Sequence, residues 1–159
     1  MLTINVVCIG KIKEKFFKDA IDEYSKRLSK YCKLNILELP DEKIPDKLNQ
    51  NLENDIKSKE CTNMINHIKK DSYIICLDLA GKEISSEEFS KNIENISMQS
   101  SQITFVIGGS YGLHNDVKNR SDYNLSFSKF TFPHQLFRVI LLEQIYRCFK
   151  ILNNETYHK

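Results

Sequence analysis

Residues 103–114 read ITFVIGGSYGLH. An apolar run rich in β-branched residues, Ile103 to Ile107, breaks off at Gly108-Gly109, with Gly112 three residues on. The run has the composition of a strand, and the glycines mark a turn at its carboxyl end. Three of the chain's five glycines lie in this one turn. Glycine has no Cβ, so such a turn can take positive φ and let a ligand approach the backbone closely. The spacing is not the dinucleotide fingerprint, which follows the first strand of its unit and has an acidic residue about 20 positions on. A Walker A Gly-Lys-Ser/Thr is also missing.

Outward from this stretch, strands and helices alternate. LTINVVCI (2–9) reads as a buried strand bounded by Gly10. Phe17, Ala20, Ile21, Tyr24, Leu28 and Tyr31 recur at helical spacing over 14–31. LNILEL (34–39) is a second strand, closed by Pro40. Leu48, Leu52, Ile56, Met64, Ile65 and Ile68 mark a long, polar-rich helix. YIICLDL (73–79) is a third strand, after which Gly81 turns the chain. Ser85-x-x-Glu88 fits a capping box for a helix to about 98. After the central strand come a short helix over 114–120 and a fifth strand over 123–127. The last helix covers about 134–152, with Pro133 suited to its first turn. Strands separated by helices predict an α/β fold with a mostly parallel sheet and helices on both faces. The 159 residues suit one domain, 1–159, without an internal boundary.

Composition narrows the class. The chain is 41% apolar and 28% charged, ordinary for a globular protein. No apolar run approaches the roughly 18 residues of a membrane span. The opening run has neither a basic segment before it nor a cleavage site after it, so a cytoplasmic protein is expected. The five cysteines, at 8, 32, 61, 76 and 148, form no C-x-x-C pair and read as small buried hydrophobes. His67, His114, His134 and His158 are scattered, and no metal site is expected. Net charge is +2, with 7 basic against 4 acidic residues in 110–159. That excess is too small for a strong sequence-independent grip on a polyanion.

Ligands of open parallel sheets bind beyond the carboxyl ends of the strands. Three such ends are unusual: Leu77 to Gly81, Gly108 to Leu113, and Ser126 to His134. The last combines Phe127, Phe130 and Phe132 with Ser128, Lys129 and Thr131, a loop able to wrap an adenine with apolar walls and main-chain hydrogen bonds. The last helix carries an anomaly: Arg138 projects into its apolar face and must meet a carboxylate, a phosphate, a ligand or another subunit. Tyr157-His158-Lys159 is an aromatic, titratable and basic terminus that could stack on a base.

Phe105-Val-Ile-Gly-Gly-Ser-x-Gly-Leu-His114, Leu125-Ser-Phe-Ser-x-x-Thr-Phe-Pro-His-Gln135, Arg138-Val, Glu143-Gln-x-Tyr-Arg147 and the terminal Tyr157-His158-Lys159 together resemble the ribosomal large-subunit methyltransferase H family, of the SPOUT class. The resemblance spans the whole chain. It implies an S-adenosylmethionine-dependent methyltransferase acting on N3 of a pseudouridine in large-subunit ribosomal RNA, a C-terminal trefoil knot, and a homodimer packed through the knotted region. It places the cofactor on Leu77, Gly108, Phe127, Ser128, Lys129, Phe130, Thr131 and Phe132. Arg138, Tyr157 and His158 are the candidates for a catalytic part. Tyr111 departs from the small amide residue common in the family. Two other readings stay open: a cofactor-binding α/β module without catalysis, and a methyltransferase acting on transfer RNA.

Overall fold

The structure, a computed structural model, describes residues 1–158. Its elements are β1 (Leu2–Ile9), α1 (Lys15–Leu28), β2 (Cys32–Leu39), α2 (Gln50–His67), β3 (Tyr73–Glu83), α3 (Ser86–Ser97), β4 (Gln102–Ile107), α4 (Asn115–Arg120), β5 (Tyr123–Ser126) and α5 (His134–Leu152). The strands form one sheet in the order β2-β1-β4-β3-β5, and every neighbouring pair is parallel. The expected α/β architecture is therefore present, with the sheet wholly parallel.

Alternation along the strands explains the layers. On β1, Ile4, Val6 and Cys8 face one cluster and Val7 and Ile9 the other. Successive strand residues point to opposite faces, so both faces of β1 need a cover. The first face is covered by α1, α3 and α5, through residues such as Leu28, Ile93 and Leu141. The second is covered by α2 and α4, through Cys61, Met64 and Val117. All five thiols are free and buried. Burial pushes Cys8, Cys32 and Cys76 up to about 11 and Cys148 up to about 12, in keeping with a packing role.

Local signals set the helix starts. Ser85 accepts from the Glu88 N–H while the Glu88 carboxylate accepts from the Ser85 N–H, closing the expected box at α3. Asn49 caps α2 by accepting from the Leu52 N–H at 2.9 Å. Pro133 sits just before α5, at its cap position.

β3 departs from expectation. It does not end at residue 79, and Gly81 does not turn the chain away. Leu77 and, after a bulge, Lys82 both lie opposite Leu125. The return is tight: a Cβ on Gly81 would fall 2.7 Å from the Leu125 carbonyl carbon. Asp78 and Leu79 fall within this bulge, beside the carboxyl ends of β4 and β5.

Candidate functional site

A cavity of about 570 Å³ opens beyond the carboxyl ends of β4 and β5 and at the bulge of β3. All three unusual strand ends contribute to it: Leu77 to Leu79, Gly108 to Leu113, and Ser126 to Ser128 with Phe130 to Phe132. Leu77, Gly108, Phe127, Ser128, Phe130, Thr131 and Phe132 thus share one wall system. Lys129 does not line the cavity; its side chain is exposed.

Each wall has a local cause. The Gly108–Leu113 turn folds on itself, with the Gly112 N–H donating to the Gly109 carbonyl at 3.0 Å. Gly112 has φ +80°, a conformation costly for residues with a Cβ. A Cβ on Gly108 would sit 2.6 Å from the Gly112 carbonyl carbon. In the aromatic loop, the Ser126 hydroxyl donates to the Ser128 carbonyl at 3.1 Å, and the Ser128 hydroxyl accepts from the Phe130 N–H at 3.0 Å. Phe127 packs edge-on against Phe137 at 5.1 Å and Phe132 stacks on it at 6.2 Å. Phe130 is 78% exposed, so it is not a core plug. Lys118 and Asp78 pair across the wall at 3.0 Å.

Arg138 is elsewhere. It is 2% exposed, and its guanidinium donates to Glu38 Oε2 at 2.8 Å and to the carbonyls of Ile9 and Gly10 at 2.6 and 2.7 Å. Of the possible partners, a carboxylate and two carbonyls of the same chain hold it. It ties α5 to the ends of β1 and β2 and does not line the large cavity.

The C-terminal tail is docked on the helices. The Tyr157 hydroxyl donates to Glu143 at 3.2 Å, its ring meets Tyr146 edge-on at 5.0 Å, and the Arg147 guanidinium lies 4.8 Å from its centre. Desolvation, with the Glu143 charge second, pushes the Tyr157 phenol up to about 12. His158 contacts Arg147 at 3.2 Å and Glu87 at 2.6 Å. Neither Tyr157 nor His158 lines the cavity of its own chain, and Lys159 lies outside the described residues.

Two groupings escaped the sequence reading. Cys61, His114 and Asp116 bring ligand-type atoms within 4.8 Å of one another. His114 Nδ1 there caps α4, accepting the Asp116 N–H at 3.2 Å. The second is Glu60, on α2, 7% exposed in a helix read only as polar-rich. It lines a cavity of about 350 Å³ beside the first, with Ser110, Tyr111 and His134 common to both. Burial, then the charges of Asp41 and Glu42, pushes the Glu60 carboxyl up to about 7. Its signal was visible only as one charged residue amid Ile56, Cys61 and Met64, on the buried stripe of α2.

The chain is similar to known proteins along its whole length. The family described as "Predicted SPOUT methyltransferase" matches residues 2–158. "Ribosomal RNA large subunit methyltransferase H" of Clostridium botulinum (strain 657 / Type Ba4) is 62% identical over 159 residues, covering 99% of this chain and 100% of that one. "Ribosomal RNA large subunit methyltransferase H 1" of Clostridium perfringens (strain SM101 / Type A) is 59% identical over the same shares. Among solved structures, that of a probable methylase family protein from Haemophilus influenzae Rd KW20 aligns with a TM-score of 0.55 at 16% identity, covering 100% of this chain and 72% of that one, a likeness of fold alone. With a family match over nearly every residue and relatives this close, the chain belongs to the SPOUT methyltransferases and, within them, to the ribosomal RNA large subunit methyltransferase H family.

Proposed function

We propose that the protein transfers the methyl group of S-adenosylmethionine to N3 of a pseudouridine in large-subunit ribosomal RNA. The observation that supports this best is the meeting of the three unusual segments around one cavity, in a chain whose relatives are named ribosomal RNA large subunit methyltransferase H. The cavity suits the donor's size and mixed character, since sites for such ligands run to about 300–1,000 Å³ with mainly apolar walls and a few polar groups. S-adenosylmethionine supplies, when bound, a methyl group already activated by the sulfonium.

The chain's part is positioning. Main-chain groups of Gly108 and of 127–132 hold the donor's polar edges, Lys129 contributing through its backbone. Leu77, Phe127 and Phe132 wall the adenine and keep water out. Correct alignment of reacting atoms lowers a barrier by about 7–11 kcal/mol at the limit. The chain works as one domain, 1–159, with its C-terminal part threaded in a trefoil knot and paired as a homodimer in the cytoplasm. Tyr157 and His158, docked away from their own cavity, orient the RNA base only by reaching the second chain of that dimer. Arg138 acts as an internal tie. The weak net charge favours recognition of an assembled ribosomal surface by its shape.

The test is methyl transfer from labelled donor to ribosomal subunits, followed by mass mapping of the modified nucleotide. Label on a pseudouridine of large-subunit RNA is expected. Donor binding without transfer to any RNA, or label confined to transfer RNA, overturns the reading.

A further inference from the structure

We propose that Glu60 is the group that accepts the N3 proton of the RNA base, and that the smaller cavity it lines is the seat of that base. This rests on the methyltransferase reading above and assigns a step that reading leaves open.

The α2 helix carries a carboxyl without a partner at the edge of the smaller cavity. Glu60 is 7% exposed and makes no hydrogen bond or ion pair among the described residues. Its carboxyl faces the smaller cavity, where a donor that arrives with a ligand can reach it. Its oxygens lie against bare backbone: a Cβ on Gly109 would fall 3.0 Å from Glu60 Oε2. Gly109 adjoins Gly108 and lines the donor cavity, so the carboxyl sits at the partition between the two cavities.

The chemistry of a uracil ring fits this partition. Its imide N–H is flanked by two carbonyls, so its receptor needs one acceptor between two donors. Glu60 is the acceptor. The Ser110 hydroxyl lines the same cavity, and so does the Gln135 amide, whose Oε1 is already engaged by the Lys13 N–H at 3.0 Å. The charged and titratable groups facing the cavity come from every side: Lys11 and Lys13 after β1, Asp41 and Glu42 after β2, Tyr111 in the glycine turn, and His134 at the start of α5. The two lysines suit an entering RNA strand. Burial first, and then the charges of Asp41 and Glu42, keep Glu60 basic enough for the task, since an acceptor works best with a pKa near the working pH.

The balance closes. The N3–H proton passes to the Glu60 carboxylate, and the N3 electron pair forms the bond to the methyl carbon. The carbon–sulfur bond breaks with its pair left on sulfur, so a sulfonium and a carboxylate become a thioether and a carboxylic acid.

The experiment compares wild type, Glu60→Gln and Glu60→Asp in single-turnover methylation of ribosomal subunits across pH, with donor affinity by calorimetry. The carboxyl-carbon NMR signal of Glu60, assigned by its absence from Glu60→Gln, is followed in the protein without donor or RNA. Glu60→Gln should lose about 10²–10⁴-fold in rate, with donor affinity unchanged. Its rate should also lose the wild type's rise with pH around neutrality. Glu60→Asp should recover part of the rate, and the carbon signal should titrate near neutrality. A Glu60→Gln rate like wild type, or a reduced rate that keeps the same pH rise, overturns the proposal. A wild type that binds donor and methylates no RNA overturns the functional reading instead, and with it this role.

Discussion

Arg138 and Glu38, one hundred residues apart, form a single ion pair of 2.8 Å at the point where β1, β2 and α5 converge. The guanidinium is sealed from solvent while the carboxylate keeps a third of its surface exposed. Glu38 also accepts from the Ile12 N–H at 2.8 Å, so the pair fixes the chain leaving β1. Arg138→Ala leaves a buried carbonyl pair and a carboxylate without their donor. A loss of about 3–5 kcal/mol in stability is expected, read by urea denaturation. Arg138→Lys should recover only part of it, because one ammonium cannot reproduce the planar fork that reaches three acceptors.

Glu60 makes stability depend on pH in an unusual direction. Its carboxyl is held at about 7 in the folded chain, above the ordinary 4.5. Between those values the folded state binds more protons than the unfolded state, so stability falls as pH rises. The wild type should lose stability from about pH 5 to 8, by up to about 3 kcal/mol. Glu60→Gln should flatten that slope and be the more stable protein at pH 8. Thermal unfolding at a series of pH values checks both.

Gly108→Ala tests the glycine turn. The added methyl would meet the Gly112 carbonyl carbon, which is backbone and cannot swing aside. The turn must open, at a cost of about 1–3 kcal/mol. Donor affinity, read by calorimetry, should fall at least tenfold, which is about 1.4 kcal/mol. Phe130→Ala, at an exposed position, should leave stability within about 0.5 kcal/mol.

Glu155 gathers Lys150, Lys30 and Tyr31, whose hydrogen bonds pull its carboxyl down to about 2. A depressed carboxyl contributes stability above its ordinary value and loses it as pH falls toward 2. Glu155→Gln should therefore loosen the tail at neutral pH, while the wild type should do so only in strong acid. Hydrogen exchange over 150–158 reads the difference.

Tyr157 and His158 contact α5 and α3 and leave their own cavity untouched. Replacing both with Ala should leave donor affinity unchanged in calorimetry. Methylation in single turnover should fall. Equal single-turnover rates would remove the tail from the reaction.

Much of the fold was readable because its signals are local. The strand runs LTINVVCI and ITFVI, the capping box at Ser85 and Glu88, and the helical spacing of α5 each depend on residues a few positions apart. The glycine turn and the aromatic loop could be chosen as ligand-bearing ends for the same reason. Gly81 was misread because a turn glycine and a bulge glycine look alike without the strand beside them. That strand, β5, starts more than forty residues later.

The sequence by itself determined the alternation of strands and helices, the three unusual segments that line one cavity, and a guanidinium that had to find a partner, since spacing and burial cost are written along the chain. Only the tertiary structure decided that Glu38 and two carbonyls are that partner. It alone turned the tail onto α5 and lodged Glu60 beneath Gly109. The physical reason is that parallel strands are joined by crossovers, so residues that touch at the sheet's edge lie tens to over a hundred positions apart.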